Sequence, residues 1–201
     1  MANFFKSTAF KCVTVLVCLM VVLGGALALL NSLWSVSPEE RTARAIKKIY
    51  GTEVSYVTLL DIDSQVEGVN KTAIEYTDLG KINKIYKIGD DLLFQATGEK
   101  GYKNGTITVW VKVINQNDSY KIDKVILESY DKQTLMSQLK GSYYDNFLVD
   151  VTTAYENGQA FTTEKGKGEF SNPVSGATKS ATAGNNAVNC VIKYLGVDYE
   201  K

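Results

Sequence analysis

Between Asn172 and Leu195 the chain reads N-P-V-S-G-A-T-K-S-A-T-A-G-N-N-A-V-N-C-V-I-K-Y-L. Ser175, Gly176 and Ala177 are small enough for the backbone to turn closely past another group, and hydroxyls follow at Thr178 and Ser180. Ala187, Val188, Val191, Ile192 and Leu195 then recur at the spacing of one helical face. A helix that begins with small, hydroxyl-bearing residues presents unsatisfied N–H groups and the positive end of its dipole, which favours a phosphate there. Thr178 would lie beside such a phosphate. Read for local structure alone, Ser175 or Thr178 is an N-cap that satisfies backbone donors.

Few other residues offer chemistry. The chain has no histidine, which removes Ser-His-Asp hydrolysis, Cys-His proteolysis, His-ligated haem and most zinc sites together. Asp61-Ile62-Asp63 and Asp90-Asp91 are paired acids at turns without the spacing of a calcium-binding loop, and no metal site is assigned to them. Zero net charge, with no basic stripe interleaved with aromatics, argues against nucleic acid. Redox chemistry would therefore have to come from a cofactor that the protein positions.

The elements that would hold such a site begin with an anchor. From Cys12 to Leu30 no charged residue occurs, long enough to span a bilayer as a helix, with Trp34 at interfacial position and Lys6 and Lys11 at the other end. Ala26-Leu27-Ala28 resembles a signal-peptidase site, but apolar sequence continues past it, so residues 12–34 read as an uncleaved transmembrane anchor after a short N-terminus of residues 1–11. Residues 35–201 form the remaining domain. Cys12 and Cys18 fall in the apolar run and Cys190 stands alone beyond it, so no disulfide framework exists and Cys190 is expected in the core.

Ser37-Pro38-Glu39-Glu40 reads as a helix start, with the helix running to Tyr50 and stopping at Gly51. Strands are expected over Glu53–Leu60, Ala73–Thr77, Ile82–Ile88, Leu92–Thr97 and Thr106–Ile114, with a hairpin between Ile107–Val113 and Lys121–Glu128. Leu135–Leu139 and Tyr143–Leu148 look like short helical pieces. Tyr143, Tyr144 and Phe147 could stack on a planar cofactor, but at helical spacing such residues are more often core. Hairpin signals outnumber any βαβ rhythm, so the fold class is α+β, with antiparallel sheets and a C-terminal helix packed on them.

Ser175-Gly176-Ala177-Thr178, followed by Ser180 and a terminal helix, resembles the attachment motif of the FMN-binding domain shared by the G subunit of Rnf electron-transport complexes and the C subunit of sodium-pumping NADH:quinone reductases. Gly98, Lys100, Gly101 and Tyr102 match a second family feature, a Gly-x-Lys-Gly-Tyr-like turn between strands. Where the family has a Glu-Thr-Pro-Gly loop facing the flavin, this chain reads Gln133-Thr134-Leu135-Met136, and only Thr134 matches. Family members commonly have Asp where Asn172 stands.

The resemblance implies FMN joined to Thr178 by a phosphoester, with Ser175, Gly176, Ala177, Lys179, Ser180 and Thr134 completing the cofactor-binding set. It also implies a flavin transferase and the other membrane subunits of an Rnf-like complex as partners. The positive-inside count does not settle orientation, because Arg41, Arg44, Lys47 and Lys48 outnumber Lys6 and Lys11. The family places its flavin domain on the extracytoplasmic side of the cell membrane. Two other readings stay open: a stand-alone flavinylated electron carrier, and a flavin-free envelope binding or scaffold protein.

Overall fold

The computed structural model describes residues 8–34, 36–61, 73–116, 119–139, 141–151, 161–163 and 174–198. It divides into two compact units, Met1–Thr42 and Ala43–Lys201. Asn172 and Pro173, which bear on the attachment motif, lie outside the described residues.

The first unit is dominated by helix α1 (Thr8–Trp34). Within it, Phe10–Ser32 is long and apolar enough to cross a membrane, and its valines and leucines are exposed among the described residues. Helix α2 (Pro38–Tyr50) starts in this unit as the sequence indicates: the Ser37 hydroxyl accepts the Glu40 N–H at 3.1 Å, Pro38 fills the first helical position, and Glu39 and Glu40 face the positive end of the dipole.

The second unit is built on one antiparallel sheet. Its strands are β1 (Val57–Asp61), β2 (Ile74–Tyr76), β3 (Gly80–Ile88), β4 (Asp91–Gly98), β5 (Ile107–Gln116) and β6 (Ser119–Tyr130). The order is β1-β3-β4-β5-β6, and β2 shares the outer edge of β3 with β1: β2 pairs with Gly80–Ile82 and β1 with residues 84–87. The described strands thus make a single sheet where more than one was expected, because β5 pairs with both β4 and β6 and carries the ladder across.

Alternation along the strands separates two faces. Leu92, Phe94, Ala96, Val109, Val111 and Val113 point to one side, where helix α4 (Thr178–Lys193) lays Ala183, Ala187, Val188 and Val191 against them in the main core. Leu93, Tyr86 and Trp110 point to the other, where Ile46 and Ile49 of α2 cover them. A wider, π-helical turn at Tyr194–Asp198 ends α4 and buries Leu195. The expected helical pieces after β6 are a 3-10 turn at Met136–Gln138 and the short helix α3 (Ser142–Asp145). Cys190 is fully buried in the main core, and burial pushes its thiol up to about 12. The α+β class and the terminal helix are as the sequence indicates.

Candidate functional site

The site begins with a turn. The Ala177 N–H donates to the Val174 carbonyl at 3.2 Å, and Gly176, third of the four residues, has φ of 79°, a left-handed conformation that glycine adopts without a Cβ penalty. Thr178 is the first residue of α4, and Ala177 occupies the N-cap position. No side chain caps this helix, which corrects the purely local reading of Ser175 or Thr178 as a cap: alanine has no oxygen to offer, and both hydroxyl residues fall outside the capping position. Ser175, Gly176, Thr178 and Lys179 are exposed, while Ala177 and Ser180 are buried. Among the described residues the Thr178 hydroxyl donates a long bond to the Val174 carbonyl at 3.4 Å.

Ser180 explains how the turn is held. Its Oγ donates to Gln133 Oε1 at 2.8 Å, and the same oxygen accepts the Tyr102 N–H at 3.1 Å. Gln133 Nε2 donates to the Asp131 carbonyl at 2.8 Å. One buried amide thereby joins the loop after β6, the glycine-rich loop between β4 and β5, and the first turn of α4. Gly101 and Gly105 leave room for it, since a Cβ on either would lie 2.6 or 2.5 Å from Gln133 Nε2. Further along α4, Asn186 Nδ2 donates to the Glu99 carbonyl at 3.0 Å.

The structure therefore brings the glycine-rich loop, the Gln133-Thr134 loop and the Ser175–Ser180 segment into one network. Thr134 is exposed, and its neighbour Gln133 makes the contact. In the sequence Gln133 stands out only as a missing carboxylate. In the structure it acts as an amide, accepting with one end and donating with the other, which an ionised carboxylate cannot do. The one signal that points to this role is an uncharged donor-acceptor side chain directly after the charged pair Asp131-Lys132.

Backbone strain concentrates in the same loops. Lys100, Lys103, Asn104 and Lys132 all have positive φ, and the Asp78 carboxylate, itself on a residue at φ 71°, pairs with Lys100 at 2.6 Å. Such conformations cost about 1 kcal/mol or more each and persist only where the surroundings hold them.

Tyr143 and Phe147 are core, not a stacking surface. They pack edge to face at 5.2 Å, Phe147 meets Phe161 at 4.7 Å, and the single Tyr143 hydroxyl proton is shared between the Ala181 carbonyl and Asn185 Oδ1, each at 3.1 Å. Tyr144 is part-buried beside Tyr143 at 5.0 Å. The exposed apolar groups near the turn are instead the Tyr102 ring and Leu135, one on each loop that Gln133 joins. Lys103 Nζ lies 5.5 Å from the Tyr102 ring centroid.

These residues fit a tethered, phosphate-bearing cofactor. An exposed hydroxyl stands at a helix start that its N-cap residue leaves uncapped, and the loops joined to it through Gln133 carry the exposed Tyr102 and Leu135. Compared with protein-family models, curated proteins and solved structures, the chain matches none.

Proposed function

We propose that this chain is a membrane-anchored electron-transfer flavoprotein that carries FMN as a phosphoester on Thr178 and serves as a subunit of an Rnf-type ion-translocating ferredoxin:NAD oxidoreductase complex. The observation that carries the reading is Thr178 itself: an exposed hydroxyl on the first residue of an uncapped helix, reached through a Gly176 turn and linked through Ser180 to the glycine-rich loop. The α1 span would tether the domain at the extracytoplasmic surface, beside the other membrane subunits.

FMN, when bound, supplies electron transfer that no side chain of this histidine-free chain provides. The chain's own residues bind, orient and retain. Thr178 would hold the group through its hydroxyl oxygen, and with a flavin dinucleotide as donor the pyrophosphate bond would break, the nucleoside monophosphate leaving with the electron pair and taking up the hydroxyl proton. The N-terminal N–H groups of α4 would face the resulting phosphodiester charge.

The test is intact-mass measurement of full-length protein made with a flavin transferase. The expected result is an increase equal to FMN minus water that survives denaturation, is lost in Thr178→Ala and persists in Ser175→Ala. Ser175 and Thr178 are exposed and neither caps the helix, so truncating either changes stability by only about 0.5 kcal/mol and the variants fold. A bare wild-type polypeptide would overturn the reading in favour of a flavin-free envelope scaffold.

A further inference from the structure

We infer that Gln133 is the positioning residue of the attachment site, setting the orientation in which α4 offers Thr178; the inference rests on the Thr178 reading. Ser180 follows Thr178 by two residues, so the two side chains leave the helix about 200° apart. Drawing Ser180 inward onto Gln133 Oε1, at 2.8 Å, turns Thr178 outward. Ser180 is buried and Thr178 exposed, as this rotation requires.

The amide suits the task because each of its ends is occupied. Oε1 receives Ser180 Oγ and the Tyr102 N–H, while Nε2 gives to the Asp131 carbonyl. An apolar side chain would strand all three partners. Gln133 is itself held where two loops cross, its Nε2 filling the room that the missing side chains of Gly101 and Gly105 leave. Other polar ties hold α4 further along, through the Tyr143 hydroxyl to the Ala181 carbonyl, Thr182 to Thr163, Asn186 to Glu99 and Asn189 to Phe161, but Ser180 is the nearest side chain to Thr178 that is bonded to another element among the described residues.

The experiment measures the rate of FMN incorporation into full-length protein by a flavin transferase, for wild type, Gln133→Ala, Ser180→Ala and Asn189→Ala, beside thermal midpoint and amide hydrogen exchange in α4. Asn189→Ala is the control: it removes an equally buried amide that bonds only the Phe161 backbone, so it lowers the midpoint but leaves the incorporation rate near that of wild type. Gln133→Ala and Ser180→Ala should slow incorporation about tenfold to a hundredfold, the penalty typical of a reacting group displaced by about 1 Å. They should also speed exchange in the first turn of α4 while its later turns stay protected. Incorporation into Gln133→Ala at the wild-type rate, or equal slowing in Asn189→Ala, would overturn the positioning role alone. Wild-type protein that stays bare would overturn the Thr178 reading and this inference with it.

Discussion

Helices of opposite character cover the two faces of the sheet. On one face α2 presents Ile46 and Ile49 to Tyr86, Leu93 and Trp110, and charges fasten its rim: Lys112 Nζ lies 2.7 Å from Asp123, 3.6 Å from Asp91 and 4.7 Å from the Tyr50 ring centroid, while Lys124 Nζ donates to the Ile49 carbonyl at 3.1 Å. On the other face α4 packs through alanine, glycine and valine and is tied by amides: Asn189 bonds both the N–H and the carbonyl of Phe161, at 2.8 and 3.0 Å, and Asn186 reaches Glu99. Large side chains hold α2 off the sheet and leave space for a solvated ionic border. Small side chains let α4 come so close that its polar groups must find partners in the backbone. The precise, rigid attachment belongs to the face that carries Thr178.

The sharpest way to break this contrast is Gly98→Ala. A Cβ on Gly98 would collide with the Ala183 carbonyl and the Ala187 nitrogen, both backbone atoms of α4 that cannot rotate aside. The expected loss is about 3 kcal/mol or more, read from the urea midpoint. A loss well under about 1 kcal/mol would show that α4 is not seated as closely as described.

Two truncations compare the faces directly. Ile46→Ala removes buried aliphatic volume from the α2 face and should cost about 2 to 4 kcal/mol. Asn189→Ala removes little apolar volume from the α4 face, yet it leaves the Phe161 N–H and carbonyl without that partner and should cost about 2 kcal/mol. Similar losses would mean that amide ties hold α4 as burial holds α2. Denaturation showing Asn189→Ala neutral would end the comparison.

Alkaline pH gives the smallest and most graded effect. Burial pushes the Tyr144 phenol up to about 12 and raises Tyr143 further, while on the opposite face burial and the neighbouring Asp91 carboxylate raise Tyr50. A phenol whose folded pKa lies above its unfolded value contributes stability that is whole below about pH 10 and falls as pH rises through the folded value. The thermal midpoint should therefore decline gradually above about pH 10. Tyr144→Phe, which deletes a buried hydroxyl with no partner among the described residues, should flatten the drop without lowering the midpoint at neutral pH. Tyr50→Phe should flatten it too, but at the cost of the hydroxyl's bond to Asp91. An unchanged alkaline slope in both variants would remove the tyrosines from the account.

By itself the sequence determined what local rules decide. The uncharged run of α1, the Ser37-Pro38 start of α2 and the β5–β6 hairpin each carry a signal within a few residues of one another, and each stands where that signal puts it. Strand ends moved: β1 begins at Val57 rather than Glu53 because its extent depends on what β3 offers to pair with. The site was legible as separate motifs but not as a network. Gln133 and Ser180 are 47 residues apart in the chain, and no periodicity or cap rule links them. Nor does α4's early sequence, Thr-Lys-Ser-Ala-Thr-Ala-Gly-Asn-Asn, announce that nearly all of it from Ser180 onward is buried, since that follows from the absence of a side chain at Gly98 on a different element. Local periodicity and turn chemistry act within the reach of a few peptide units, whereas the pairing of buried polar groups is settled only when distant segments are pressed together and water is excluded between them.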